Sequence, residues 1–269
     1  MKHVNFALLS AVLMLSANAF AQKVTITKGG QASVVQKSGS DAINLMVNGD
    51  HYFFTEYTER GTVSYDMQSF DSKGSSIADT KLELNPGVFN NTYSIDQVIG
   101  VGNKLYAMIE HLDKAGAKNT LLAREIDNSG KISTSEVEVM SIPFEKIMNS
   151  GFNYSAASND QKTLAVLAEY PFVKEEPAKF KIALFDKDLK KTKEGEITLP
   201  GENSKNKNMT AVVANDGTVY LIKKKLTKKG DITITVYQWS AGDASPKEYI
   251  VEVTAPNQIL NYAYEVNSN

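Results

Sequence analysis

The sequence predicts an all-β chain in which one four-stranded antiparallel unit recurs four times. Three observations carry this. Four hairpins share one plan, an apolar strand, a polar turn and a second apolar strand: "LMVNGDHYFFTEY", "IGVGNKLYAMIEH", "SAASNDQKTLAVLAEY" and "AVVANDGTVYLIKKK". Their second strands open at His51, Lys104, Thr163 and Thr218, spaced 53, 59 and 55 residues apart. A second marker keeps the same phase, because third strands end on Phe70, Ile126, Phe185 and Trp239, spaced 56, 59 and 54 apart. The third observation is period-two alternation without a competing helical period.

Each element has its own local reason. First strands are short apolar runs that stop at "NGD", "VGN", "SND" or "NDG", where Asn, Asp and Gly accept the tight backbone of a hairpin. Second strands such as "YFFTEY" and "TLAVLAEY" are rich in residues that suit a pleated surface. Third strands end on a large apolar residue and turn at "DSKG", "DNSG", "DKD" and "SAGD". Fourth strands read as "TKLEL", "SEVEV", "GEITL" and "YIVEV", alternating as half-buried strands should.

A four-stranded meander repeated at this length resembles a blade of a β-propeller, in which twisted sheets pack around an axis. The resemblance covers about residues 42–258 at the level of architecture only. The WD, kelch and Asp-box signatures are missing, so it implies a scaffold and no activity. A two-layered sandwich would explain the constant phase poorly. The closing stretch "QILNYAYEVNSN" has the character of a fifth first strand, so 259–269 is expected to begin a fifth blade. Residues 22–41 form an N-terminal segment in which "KVTIT" is a candidate closing strand. On this reading the ring is incomplete, and the chain is the leading part of a longer protein.

Residues 1–21 read as a secretory signal peptide: a short polar start, the run "FALLSAVLML", and small residues Ala19 and Ala21 before Gln22. The apolar run is too short to cross a bilayer, and no later stretch approaches the length of a span. The expected location is exported: periplasmic, extracellular or on the cell surface. The chain has no cysteine, so cohesion must come from a packed core, and 269 residues at 42% hydrophobic composition can form one. A net charge of −2 gives no sign of a nucleic-acid partner.

Strand order sorts the loops onto two ends. Short, structural turns lie at one end. Long, dissimilar loops lie at the other, and variation concentrated there marks a binding surface or merely unconstrained loops. Phe89, Phe144, Phe152 and Phe172 lie in those long loops and are the candidate ligand-stacking residues. His51 and His111 fall at opposite ends of their strands, too far apart to share a metal or a triad. "GVGNKL" has Leu105 where a dinucleotide fingerprint needs glycine, and "DNSGKISTSE" lacks the acidic spacing of a calcium loop. Asp127 and Gly130 there are expected to shape a turn. The basic run "KKKLTKKG" reads as a solvated hairpin, with Glu175 and Glu176 placed to offset it.

No nucleophile elbow is present and no thiol exists, so no catalytic, metal or cofactor residue is assigned. The sequence thus points to a non-catalytic exported binding or assembly module with a protein or glycan partner. The alternative is the N-terminal propeller of a larger exported hydrolase. A ring of central carboxylates would favour an enzyme that uses the propeller itself.

Overall fold

A computed structural model describes residues 41–59, 62–84, 93–201, 208–226 and 232–251. Four antiparallel sheets of four strands follow one another in chain order, each pairing neighbours in sequence. Blade 1 is β1 (Asp41–Val47), β2 (Asp50–Glu59), β3 (Thr62–Phe70) and β4 (Ser76–Lys81). Blade 2 is β5 (Tyr93–Val101), β6 (Lys104–Asp113), β7 (Lys118–Ile126) and β8 (Val137–Pro143). Blade 3 is β9 (Phe152–Ala157), β10 (Thr163–Glu169), β11 (Lys179–Asp186) and β12 (Lys191–Thr198). Blade 4 is β13 (Asn208–Val213), β14 (Val219–Leu226), β15 (Ile232–Trp239) and β16 (Lys247–Val251). The all-β, propeller-like class read from the repeat is therefore the observed one. The segments expected to close the ring or begin a fifth blade lie outside the described residues.

Three apolar interfaces hold consecutive blades together. Phe54, Tyr65 and Met67 meet Leu105, Ala107 and Ile109 between blades 1 and 2. Met108 and Leu121 meet Leu164, Val166 and Ala168 between blades 2 and 3. Leu167, Phe180 and Ile182 meet Leu221, Tyr237 and Trp239 between blades 3 and 4. Strand β10 shows the logic: alternate side chains serve opposite faces. Leu164, Val166 and Ala168 face blade 2, while Ala165 and Leu167 face blade 4, all fully buried. A strand covered on both faces reads as a continuous apolar run, as "LAVLA" does.

First strands form the inner edge, with β5 lying against both β1 and β9, and β9 against β13. Their turns knit together at one end. The backbone N–H of Gly102 donates to Gln161 O at 2.6 Å, and Gln161 Nε2 donates to Met46 O at 2.6 Å. Asp160 N donates to Asn215 Oδ1 at 3.2 Å, so one turn of blade 3 touches the turns of blades 1, 2 and 4.

Three of the four turns from third to fourth strands share one device. Asp71, Asp127 and Asp186 each accept two backbone N–H groups with Oδ1, two and four residues on, at 2.8 to 3.0 Å. Hydrogen bonds lower the pKa of all three carboxyls. Asp127 thus shapes its turn as expected, with Gly130 beside it at φ +84°.

Fourth strands differ from their predicted spans. In blade 1 the strand is Ser76–Lys81 rather than "TKLEL", because the Asp71 turn closes at Ser75 and a bulge at Ser69/Phe70 restores pairing early. In blade 2 the bridge Ile126–Ile132 holds the chain back, and β8 starts only at Val137. Nor are these strands uniformly half-buried. Each is the outer edge of its blade, and every residue of β16 is exposed.

Gly151 sits between a short 3₁₀ turn (Ile147–Asn149) and β9, with φ +87°. A Cβ there would collide with the backbone oxygen of Glu169 and with Ile142 Cδ1. Gly151→Ala is expected to destabilise the fold by about 3 kcal/mol. Thermal melting should show this as a drop in Tm of roughly 2–4 °C for each kcal/mol lost.

Candidate functional site

The second strands carry a recurrence inside their apolar pattern. The seventh residue is glutamate in three of them: Glu56 in β2, Glu110 in β6 and Glu169 in β10, with Lys225 in that place in β14. Strand alternation turns each glutamate toward the following blade. Glu56 shares a face with Tyr52 and Phe54, Glu110 with Tyr106 and Met108, and Glu169 with Ala165 and Leu167. All three lie near the end of the blade that carries the long loops.

Around the first two glutamates the inner strand of blade 2 adds a third carboxylate. A bulge between Ile95 and Gln97 leaves Asp96 out of register, with its side chain exposed. Protein nevertheless surrounds it on most sides. Burial, then the charges of Glu110 and Glu56, raise its pKa to about 7. The Tyr65 hydroxyl lies 2.7 Å from Glu56 Oε2 and 3.3 Å from the Asp96 carbonyl oxygen, tying blade 1 to the bulge. Burial and the Asp96 charge push Tyr154, on blade 3, up to about 12.

Blade 3 completes the cluster. Asn119 Nδ2 donates to Glu110 Oε1 at 2.8 Å and to Ser150 O at 3.2 Å. Asn153 Nδ2 donates to Glu110 Oε1 at 3.5 Å and to Asn119 Oδ1 at 3.3 Å. These bonds consume donors. Left over are Asn153 Oδ1, an acceptor, and the Ser155 hydroxyl, which can accept or donate; both are buried without a partner among the described residues. Two aromatic features frame this end, a half-buried stack and an exposed ring. Tyr93 stacks on His111 with ring centroids 3.9 Å apart and planes 8° from parallel. Phe152, the first residue of β9 and next to Asn153, is 58% exposed.

A groove of about 660 Å³ lies on the same end, lined by Phe144, Tyr170, Phe172 and Lys174 among others. The linker between blades 2 and 3 connects the two regions. Its Ser150 carbonyl accepts from Asn119, while Asn149 exchanges hydrogen bonds of 2.8 and 2.9 Å with the Phe172 backbone.

The aromatic candidates from the sequence therefore separate. Phe144 and Phe172 meet in the groove, but Phe144 is only 8% exposed and serves as a packed wall. Phe152 faces solvent at the long-loop end, adjacent to Asn153 in sequence but on the other face of β9, the one that Tyr154 and Ala156 turn toward blade 4, and Phe89 lies outside the described residues. His51 and His111 belong to different blades and opposite strand ends. Glu175 and Glu176 pair with Lys174 and Lys179 of their own neighbourhood, at 3.2 and 3.5 Å. Among the described residues, no three of the His, Cys, Asp and Glu side chains converge as metal ligands would. None of the described helices is long and apolar enough to cross a membrane.

Fold and site together define a propeller-like β-protein with a carboxylate cluster between its first two blades. No protein-family model matches the chain, and no curated protein sequence matches it. Solved structures do resemble it in arrangement. A thermostable family-43 glycoside hydrolase is similar over 81% of this chain and 76% of its own, at 12% identity and TM-score 0.44. An α-L-arabinofuranosidase from Podospora anserina, in complex with cellotriose, is similar over 78% and 67%, at 12% identity and TM-score 0.42. An endo-arabinase from Bacteroides thetaiotaomicron is similar over 84% and 81%, at 11% identity and TM-score 0.37. Likeness at this level assigns no family, and the fold rests on the chain's own strand pairing.

The Asp96 carboxyl binds its proton more tightly in the folded chain, at about 7, than at its ordinary 3.8. At pH 4 and below it costs the fold little. The cost grows as pH rises from about 4 to about 7 and is complete above that. Asp96→Asn should therefore stabilise the protein at pH 8 by about 1 kcal/mol after solvent screening, roughly 2–4 °C in Tm. The gain should vanish in melts at pH 4.

Proposed function

We propose that the protein is a non-catalytic carbohydrate-binding module that takes its ligand at the mouth formed by Glu56, Asp96, Glu110 and Asn153. One observation carries the reading: three blades present hydrogen-bond acceptors to one place, and an exposed aromatic ring, Phe152, stands at the same strand end. A ligand that suits such a surface is rich in donors and offers an apolar flank. A sugar ring does both, with hydroxyls for the carboxylates and C–H faces for the phenyl ring. The groove by Phe172 extends the same end of the molecule and would accept a further residue of a chain-like ligand. The apolar run and small-residue site at the N-terminus support export, placing the module in the periplasm or at a cell surface.

A second reading, a glycosidase that uses the propeller itself, is favoured by one specific feature. Asp96 holds a proton close to neutrality beside Glu110 and Glu56, and unlike carboxyls in one site can divide acid and base roles. Release of reducing sugar from oligosaccharides, lost in Asp96→Asn, would replace the binding reading with this one.

Phe152→Ala separates recognition from folding, because more than half of the side chain is already in solvent. Titration calorimetry with a panel of neutral and amino-containing oligosaccharides should show affinity for at least one. That affinity is expected to weaken by about tenfold in the variant, or about 1.4 kcal/mol, with Tm unchanged. Unaltered affinity in Phe152→Ala would remove this face from the proposal.

A further inference from the structure

The mouth has a property that a neutral sugar does not use. Its three carboxylates come from two blades, and the charges acting on Asp96 among the described residues, Glu110 and Glu56, are both negative. The other groups nearby are the Tyr65 hydroxyl, which reaches the Asp96 carbonyl, Tyr154, which feels the Asp96 charge, and the amides of Asn119 and Asn153 on Glu110, with the Tyr93–His111 stack at the same strand ends. Several nearby donors are already committed: the Tyr65 hydroxyl to Glu56, and one amide each of Asn119 and Asn153 to Glu110.

An independent observation comes from β9. Ser155 is 8% exposed, and its Oγ has no partner among the described residues. It lies two residues from Asn153, on the same face of the strand, and that face meets Glu110. A buried hydroxyl without a partner costs free energy of the order of 1–3 kcal/mol, and a donor entering beside it would relieve that cost. Asn153 Oδ1 stands in the same position.

Surplus negative charge plus unused neutral acceptors calls for a compact cation with several N–H donors. A bare metal ion fits poorly, because no three of the described acids and histidines converge as ligands. We propose that the mouth between blades 1, 2 and 3 binds a protonated amine carried on a sugar, with the ammonium group among Glu56, Asp96 and Glu110. Asn153 Oδ1 and Ser155 Oγ supply neutral acceptors to the same ligand. This rests on the binding reading above and narrows it from carbohydrates in general to amino sugars. The ammonium group restores charge balance that Asp96 otherwise reaches by keeping a proton, so binding displaces that proton.

The experiment is calorimetry on the whole chain with glucosamine, N-acetylglucosamine, glucose and 1,4-diaminobutane, at about pH 6.5, where the amines carry their protons. Glucosamine should bind at least about tenfold more tightly than the two neutral sugars. Titrations in buffers of different ionisation heat should show a proton released on binding. Asp96→Asn keeps the shape of the side chain and removes a repulsion, so it should fold; in it the preference for the amine and the proton release should both fall. Glu110→Gln should lose the preference as well, and added salt should weaken glucosamine binding more than glucose binding. Equal affinity for all three sugars overturns the amine inference and leaves the carbohydrate reading standing. Binding of 1,4-diaminobutane and glucosamine, with a preference lost in Asp96→Asn and no affinity for neutral sugars, upholds the cation site and overturns a general carbohydrate reading. Failure of every probe overturns both.

Discussion

The arrangement depends on the convergence of first strands at a common inner edge. Strand β5 can touch β1 on one side and β9 on the other only if the turns that follow them are short. The turn at Gln161 shows how tightly this is drawn, since it bonds to the neighbouring blades' turns through backbone and side-chain atoms. Closing one end with small turns sends the bulk of the loops to the other. The scaffold therefore decides which end is available for a ligand before any side chain is considered.

That constraint also explains why polar residues can sit where they do. Within the blades, pairs of sheet faces bury aliphatic and aromatic groups with almost no polar atoms. Each second strand reaches its seventh residue near the end that carries the long loops. Glutamate at that place reaches the rim of an apolar interface, where Tyr65 or Asn119 can bond to it. Asp96 is the exception that needed a bulge. Without the extra residue in β5, alternation would have turned the following side chains to the wrong faces.

Much of the fold was legible because two markers kept phase along the chain. Second strands open within one residue of His51, Lys104, Thr163 and Thr218, and third strands end on or beside Phe70, Ile126, Phe185 and Trp239. Fourth strands were misplaced because bulges and Asp-anchored turns shift register without altering apolar alternation. The carboxylate cluster was missed although part of its signal was visible: "FFTEY", "AMIEH" and "VLAEY" set a glutamate at one repeat position. Asp96 had no such signal. Its bulge and its closeness to Glu56 depend on how two sheets meet, which spacing along the chain does not encode. Phe144 was placed in a variable loop by sequence, yet its backbone N–H bonds to Ala117 O and its ring turns inward.

Unequal cover across the blades also sets how the molecule breathes. Strand β10 is sheltered on both sides, with its neighbours β9 and β11 hydrogen-bonded to it along their length. Among the described residues, strand β16 has a partner on one edge only, and every one of its residues is exposed. Amide hydrogens of β10 will accordingly trade with deuterium only through large openings, while those of β16 escape by fraying. The pliable rim and the rigid centre are thus two properties of one meander, separated by a few strand widths.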